Sequence, residues 1–145
     1  MTEPSACVFC RIVEGHEKAS FVAQGTDAVA FLDVHPITEG HTLVVPRKHA
    51  PSIGDVDEVG AVAMWSLARR AARALRDSGL RCEGINFFLA DGAGGGQEVF
   101  HAHLHVVPRW PGDGFRIEFP PQYGAAADRK ALDEVAGRLR KRLTS

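Results

Sequence analysis

The sequence predicts an α+β domain in which helices lie against an antiparallel sheet. Three observations carry this. Short apolar runs are joined by loops of hairpin length, only two segments have helical spacing, and one segment alternates strictly between histidine and apolar residues. Strands alternating with helices, as a parallel doubly wound sheet requires, are not what the order strand, strand, helix, strand, strand, helix gives.

The first strand is expected in "AVAFLDV" (Ala28 to Val34) and the second in "HTLVVP" (His41 to Pro46). Both are rich in Val, Leu and Phe, and Pro36 and Gly40 punctuate the loop between them. From Asp57 to Leu80 apolar residues recur at Val59, Val62, Ala63, Leu67, Ala71 and Leu75, the three-and-four spacing of an amphipathic helix. Arg69, Arg70, Arg73 and Arg76 form its wet face, and Gly79 stands near its end. A third strand, "INFFLA" (Ile85 to Ala90), leads through the glycine-rich loop "DGAGGGQE" into the histidine segment. The loop has no Gly-Lys-Ser/Thr and enters a strand, so it is neither a Walker loop nor a dinucleotide fingerprint, although its glycines could bring backbone amides to an anion. A C-terminal helix follows from Leu132, Val135, Ala136, Leu139 and Leu143, its basic end "RLRKRL" reading as a solvated terminus. No repeat or linker divides residues 1–145, which read as one domain.

A net charge of −1 provides no global field for a polynucleotide, and a nucleotide-sized ligand fits the balance better. No run of about 18 apolar residues suggests a membrane span, and the start lacks a basic-then-apolar leader. With an odd set of cysteines (Cys7, Cys10, Cys82), a reducing cytoplasmic setting is expected and no disulfide framework. Cys7 and Cys10 form a Cys-x-x-Cys pair, which in that setting suggests a metal or redox site. Cys82 reads as an ordinary buried or partly buried thiol, and His16 and His35 as loop residues.

The segment "FHAHLHVVP" holds three of the seven histidines. On a strand His101, His103 and His105 share one face while Phe100, Ala102, Leu104 and Val106 anchor the other. Three imidazoles side by side make a poor solubilising surface and point to metal binding, nucleophilic catalysis, or both.

This run, together with "CVFCRIVEG", "AFLDVHPITEGHTLVVPRKH" and "GGGQEVFHAHLHVVPR", resembles the histidine triad (HIT) superfamily of nucleotide hydrolases and transferases, near its Hint phosphoramidase branch. The resemblance implies a HIT-like fold with one long central helix, a homodimer, and a purine nucleotide derivative as substrate. His103 corresponds to the nucleophile that attacks the α-phosphorus. His105 corresponds to a phosphate-binding or leaving-group partner, and His41 to a histidine that donates to the phosphate. Asp33 matches the ribose contact, Phe9, Ile12, Phe31 and Val34 the base pocket, and Gln97 a phosphate-side glutamine. His49 and His101 would complete with Cys7 and Cys10 a closed structural zinc site; no catalytic metal is implied.

Two positions depart from the Hint pattern: Glu98 replaces a serine and Ala90 an asparagine. An ionised carboxylate accepts but does not donate a hydrogen bond, so leaving-group choice is open. The expected activity is cleavage of a P–N or P–O bond at the α-phosphate. The alternatives are a dinucleoside polyphosphate hydrolase or phosphorylase, and, from another class, a non-catalytic nucleotide-binding regulatory protein.

Overall fold

The computed structural model describes residues 4–143. They divide between Phe115 and Arg116 into two compact units. The first contains helix α1 (Val8–Val13), strands β1 (Phe21–Gln24), β2 (Ala28–Leu32) and β3 (Thr42–Pro46), helix α2 (Glu58–Asp77), and strands β4 (Gly84–Phe88) and β5 (Leu104–Arg109). The second contains helix α3 (Arg129–Leu143), whose start is capped by Asp128 Oδ2 accepting from the Ala131 amide at 3.0 Å. Leu132, Val135, Leu139 and Leu143 on α3 are exposed.

The five strands run in the order β1-β2-β3-β5-β4, every neighbour antiparallel. The α+β expectation therefore holds. The runs "AVAF" and "LVV" do not alternate with polar residues because both faces of the sheet are covered. Ala28, Ala30, Val44 and Val106 face α2, packing on Met64, Leu67, Ala68, Ala72 and Leu75. Val29, Phe31, Leu43 and Val45 face the other way, onto Cys7, Phe9, Cys10 and Ile12 at α1.

Three expectations are corrected in detail. The strands of residues 28–34 and 85–90 end earlier, at Leu32 and Phe88. The histidine strand starts at Leu104, leaving His101 and His103 in the segment ahead of it. Its ladder with β3 ends at Val44↔Leu104, and further along lies Pro46, which has no N–H and whose carbonyl is taken by the His101 ring. On α2 the buried stripe is Gly60, Met64, Leu67, Ala68, Ala71, Ala72 and Leu75, whereas Val59 and Val62 are exposed. The helix carries two apolar stripes, and spacing alone merges them.

Gly40 fixes the turn into β3. Its φ is +95°, and a Cβ there would stand 2.8 Å from Leu75 Cδ2. Only glycine fits both demands, and the residue it delivers is His41.

Candidate functional site

β5 carries His105 on the α1 face of the sheet, between its cross-strand partners Leu43 on β3 and Phe88 on β4. The Phe88 ring stacks on the imidazole with centroids 4.2 Å apart and planes 15° apart. His103 lies under the edge of Phe9, centroids 5.1 Å apart. His103 and His105 rings stand 5.0 Å apart, and His41 and His105 rings 5.1 Å.

Backbone groups determine the tautomers of His41 and His103, and His41 that of His105. The Ile37 amide donates to His41 Nδ1 at 3.1 Å, so the neutral ring carries its proton on Nε2. That proton is donated to His105 Nδ1 at 2.9 Å, which leaves the His105 proton on Nε2. His103 Nδ1 donates to the His101 carbonyl at 2.8 Å, leaving Nε2 with its lone pair. Burial pushes the pKa of all three rings down, that of His105 to about 4 with His103 and His41 adding to the effect. Against this, Asp33 and the His101 carbonyl pull in the other direction at His41 and His103 respectively. At neutral pH the cluster is thus three uncharged imidazoles, one offering a lone pair and one an N–H.

Two adjoining cavities meet at these rings. One, of about 590 Å³, is lined by His41, His103, His105, Asp33, Glu98 and the loop residues Gly95 and Gly96 among others. The other, of about 430 Å³, is an apolar slot formed by Phe9, Ile12, Phe31, Leu43, Val34 and Val99, with Lys18 at its edge. Asp33, His35, Glu98, His103 and His105 line both. Asp33 Oδ1 accepts the His35 amide at 2.9 Å, and Oδ2 lies 3.7 Å from His41 Nδ1.

The structure therefore brings His41, His103, His105, Asp33, Phe9, Ile12, Phe31 and Val34 to one place. Gln97 behaves differently. It is buried, its Oε1 accepts the Gly92 amide at 2.7 Å, and its Nε2 donates to the Pro51 and Val99 carbonyls at 2.6 and 3.0 Å. Every polar atom of that side chain braces the loop. The Gly95 and Gly96 amides likewise bond within the loop, to the Gly92 and Ala93 carbonyls, so those two glycines do not present amides to an anion. Sequence reasoning missed Phe88, whose signal was the two-residue period that puts it on the same sheet face as His105. It also left His35 without a place, although the ring lines both cavities.

A second cluster lies behind the first. One ligand atom from each of Cys7, Cys10, His49 and His101 falls within 4.8 Å of the others. His101 Nδ1 stands 3.5 Å from both Cys7 Sγ and Cys10 Sγ and 3.3 Å from His49 Nδ1, and Cys10 Sγ stands 3.1 Å from His49 Nδ1. Ligands at zinc bond lengths in a tetrahedron are separated by about 3.5 Å for S to N and about 3.3 Å for N to N. The His101 ring donates from Nε2 to the Pro46 carbonyl at 2.8 Å, which aims the bare Nδ1 at the cluster. Burial and the neighbouring Cys7 push the Cys10 thiol up to about 12, a cost that a bound divalent cation reverses. Distances, tautomer and donor set all fit zinc.

A fold of this strand order is shared with known proteins. The HIT domain family model matches residues 14–112. A HIT-like protein of Mycoplasma pneumoniae is 44% identical over 104 residues, 72% of each chain. A member of the HIT family from Bacillus subtilis superposes with a TM-score of 0.87 at 31% identity, covering 96% of this chain and 98% of that one. A Zn-bound histidine triad family protein from Mycobacterium smegmatis does so with a TM-score of 0.74 at 36% identity, covering 96% and 99%. The chain belongs to the HIT family. No helix among the described residues is long and apolar enough to cross a membrane.

Proposed function

We propose that this protein is a nucleotide hydrolase that cleaves a P–N or P–O bond at the α-phosphate of a purine nucleoside phosphate derivative. One observation carries the reading: His103 Nδ1 is tied to the His101 carbonyl, so its unprotonated Nε2 is available where slot and cavity meet. Phe9, Ile12, Phe31 and Val34 hold the base in the slot, and Asp33 accepts from the ribose hydroxyls. The His103 Nε2 lone pair attacks the α-phosphorus and forms a P–N bond. The bond to the leaving group breaks, its electron pair departs with that group, and a solvent proton completes it. Water then displaces His103, releasing the nucleoside 5′-monophosphate and a proton.

His105 Nε2–H donates to a nonbridging phosphate oxygen, where charge shifts in the transition state. His41 acts through His105, because its own Nε2–H is engaged there. Zinc held by Cys7, Cys10, His49 and His101 is structural, since four protein ligands leave no open position. The zinc-bound relative supports that assignment. No step above uses a metal. The assembly is a homodimer, joined through the outer edge of β4, which pairs with no strand among the described residues, and the exposed stripe of α2.

Intact-protein mass spectrometry after brief mixing with adenosine 5′-phosphoramidate tests the nucleophile. An adenylate adduct and AMP release are expected from the wild type; His103→Ala should form no adduct and lose about a thousandfold or more in turnover. Neither adduct nor AMP from the wild type would favour the nucleotide-binding alternative instead.

A further inference from the structure

The cavity beside the triad has an unusual charge balance for a phosphate-handling site. Among the described residues its lining contains two carboxylates, Asp33 and Glu98, and no lysine or arginine; Lys18 lines the adjoining slot. The Gly95 and Gly96 amides are turned into their own loop. Asp33 is engaged by the His35 amide. Glu98 is not: it is exposed and, among the described residues, makes no hydrogen bond or ion pair. Its backbone is nonetheless held in place. Gln97 before it is braced by three backbone groups, and Val99 after it packs on the apolar cluster at α1. The free carboxylate therefore stands at the junction of slot and cavity, lining both beside His103 and His105.

A polyphosphate leaving group brings several negative charges and needs arginine, lysine or a cation to meet them. Here it would meet Glu98. We propose that Glu98 selects the leaving group by charge, so that the preferred substrates are nucleoside 5′-phosphates linked to a group bearing a cationic amine, and dinucleoside polyphosphates are disfavoured. This deepens the hydrolase reading and rests on it. A carboxylate and an ammonium about 7 Å apart at a partly solvated site differ from a neutral pair by about tenfold, and salt screens the difference.

Two isosteric probes isolate that charge. AMP is joined through nitrogen to propane-1,3-diamine, whose far end is an ammonium, or to butylamine, whose far end is a methyl group. The readout is the ratio of kcat/KM values for the two probes within each protein, at pH 8, where imidazoles are neutral. A ratio of about ten is expected for the wild type at low salt, declining as salt is added. It should fall towards one in Glu98→Gln and below one in Glu98→Lys, which should also gain AMP release from diadenosine triphosphate. A wild-type ratio near one, or the same ratio in wild type and Glu98→Gln, overturns the assignment while leaving the hydrolase reading intact. Absence of both a His103 adduct and AMP with either probe overturns the hydrolase reading and this inference with it.

Discussion

Three of the rings read their protonation from a backbone atom, His41 from the Ile37 amide, His103 from the His101 carbonyl and His101 from the Pro46 carbonyl, and His105 reads its own from His41. This has a measurable price in acid. His105 has a folded pKa of about 4 against about 6.5 unfolded, and His41 is shifted in the same direction, both chiefly by burial. Between those values the unfolded chain binds more protons, so stability rises with pH. The contribution is fully present above about pH 6.5 and is lost as pH falls towards 4. Urea unfolding of wild type and His105→Gln across pH 4 to 7 should give curves that diverge most at neutral pH and converge in acid; parallel curves would refute the shift. Residue identities here were legible in the sequence, because the alternation of histidine with apolar residues stands out, although only His105 lies on the strand itself. Their tautomers were not, since the Ile37 amide and Pro46 carbonyl arrive through tertiary structure. For the same reason Gln97 read as a phosphate contact, whereas the structure uses it to brace a loop.

At the level of elements, the continuous runs of β2 and β3 announced themselves, while α1 did not. Six residues, "VFCRIV", are too few to display a helical period, and short helices draw their stability from packing. Zinc at the Cys/His cluster would explain how so short a helix is held. Cys7 caps α1 and Cys10 lies within it, His49 follows β3, and His101 precedes β5. One ion there would tie three separate segments, and the same helix supplies Phe9 and Ile12 to the slot. Protein purified without chelator should contain one zinc per chain by elemental analysis. Chelation should lower Tm by about 10 °C or more, the effect of losing a few kcal/mol in a chain of this size. Zinc content near zero with an unchanged Tm on chelation would rule the site out.

At the level of the molecule, β4 has β5 on one side and no strand on the other among the described residues. On α2 Val59, Val62 and Trp65 are exposed, and Trp65 meets Phe87 of β4 with centroids 5.4 Å apart. Their fractional exposures of 62%, 64% and 51% are high for such residues on a helix whose other stripe is fully used. Spacing had merged this stripe with the buried one, because a sequence does not say which of two apolar faces meets its own chain. Charge on α2 is also polarised: Asp57 and Glu58 at its start, Arg69, Arg70, Arg73 and Arg76 towards its end. Two copies related by a two-fold axis would set these helices antiparallel, acidic start against basic end, while β4 pairs with β4 and covers both edges. Light scattering should therefore give about 31 kDa, twice the 15.7 kDa chain. Trp65→Glu combined with Phe87→Ser removes the apolar contact from positions that are already solvent-facing, so the chain should stay folded by circular dichroism and run as a monomer. A wild type at the monomer mass, or a double variant that remains dimeric, would place the partner surface elsewhere.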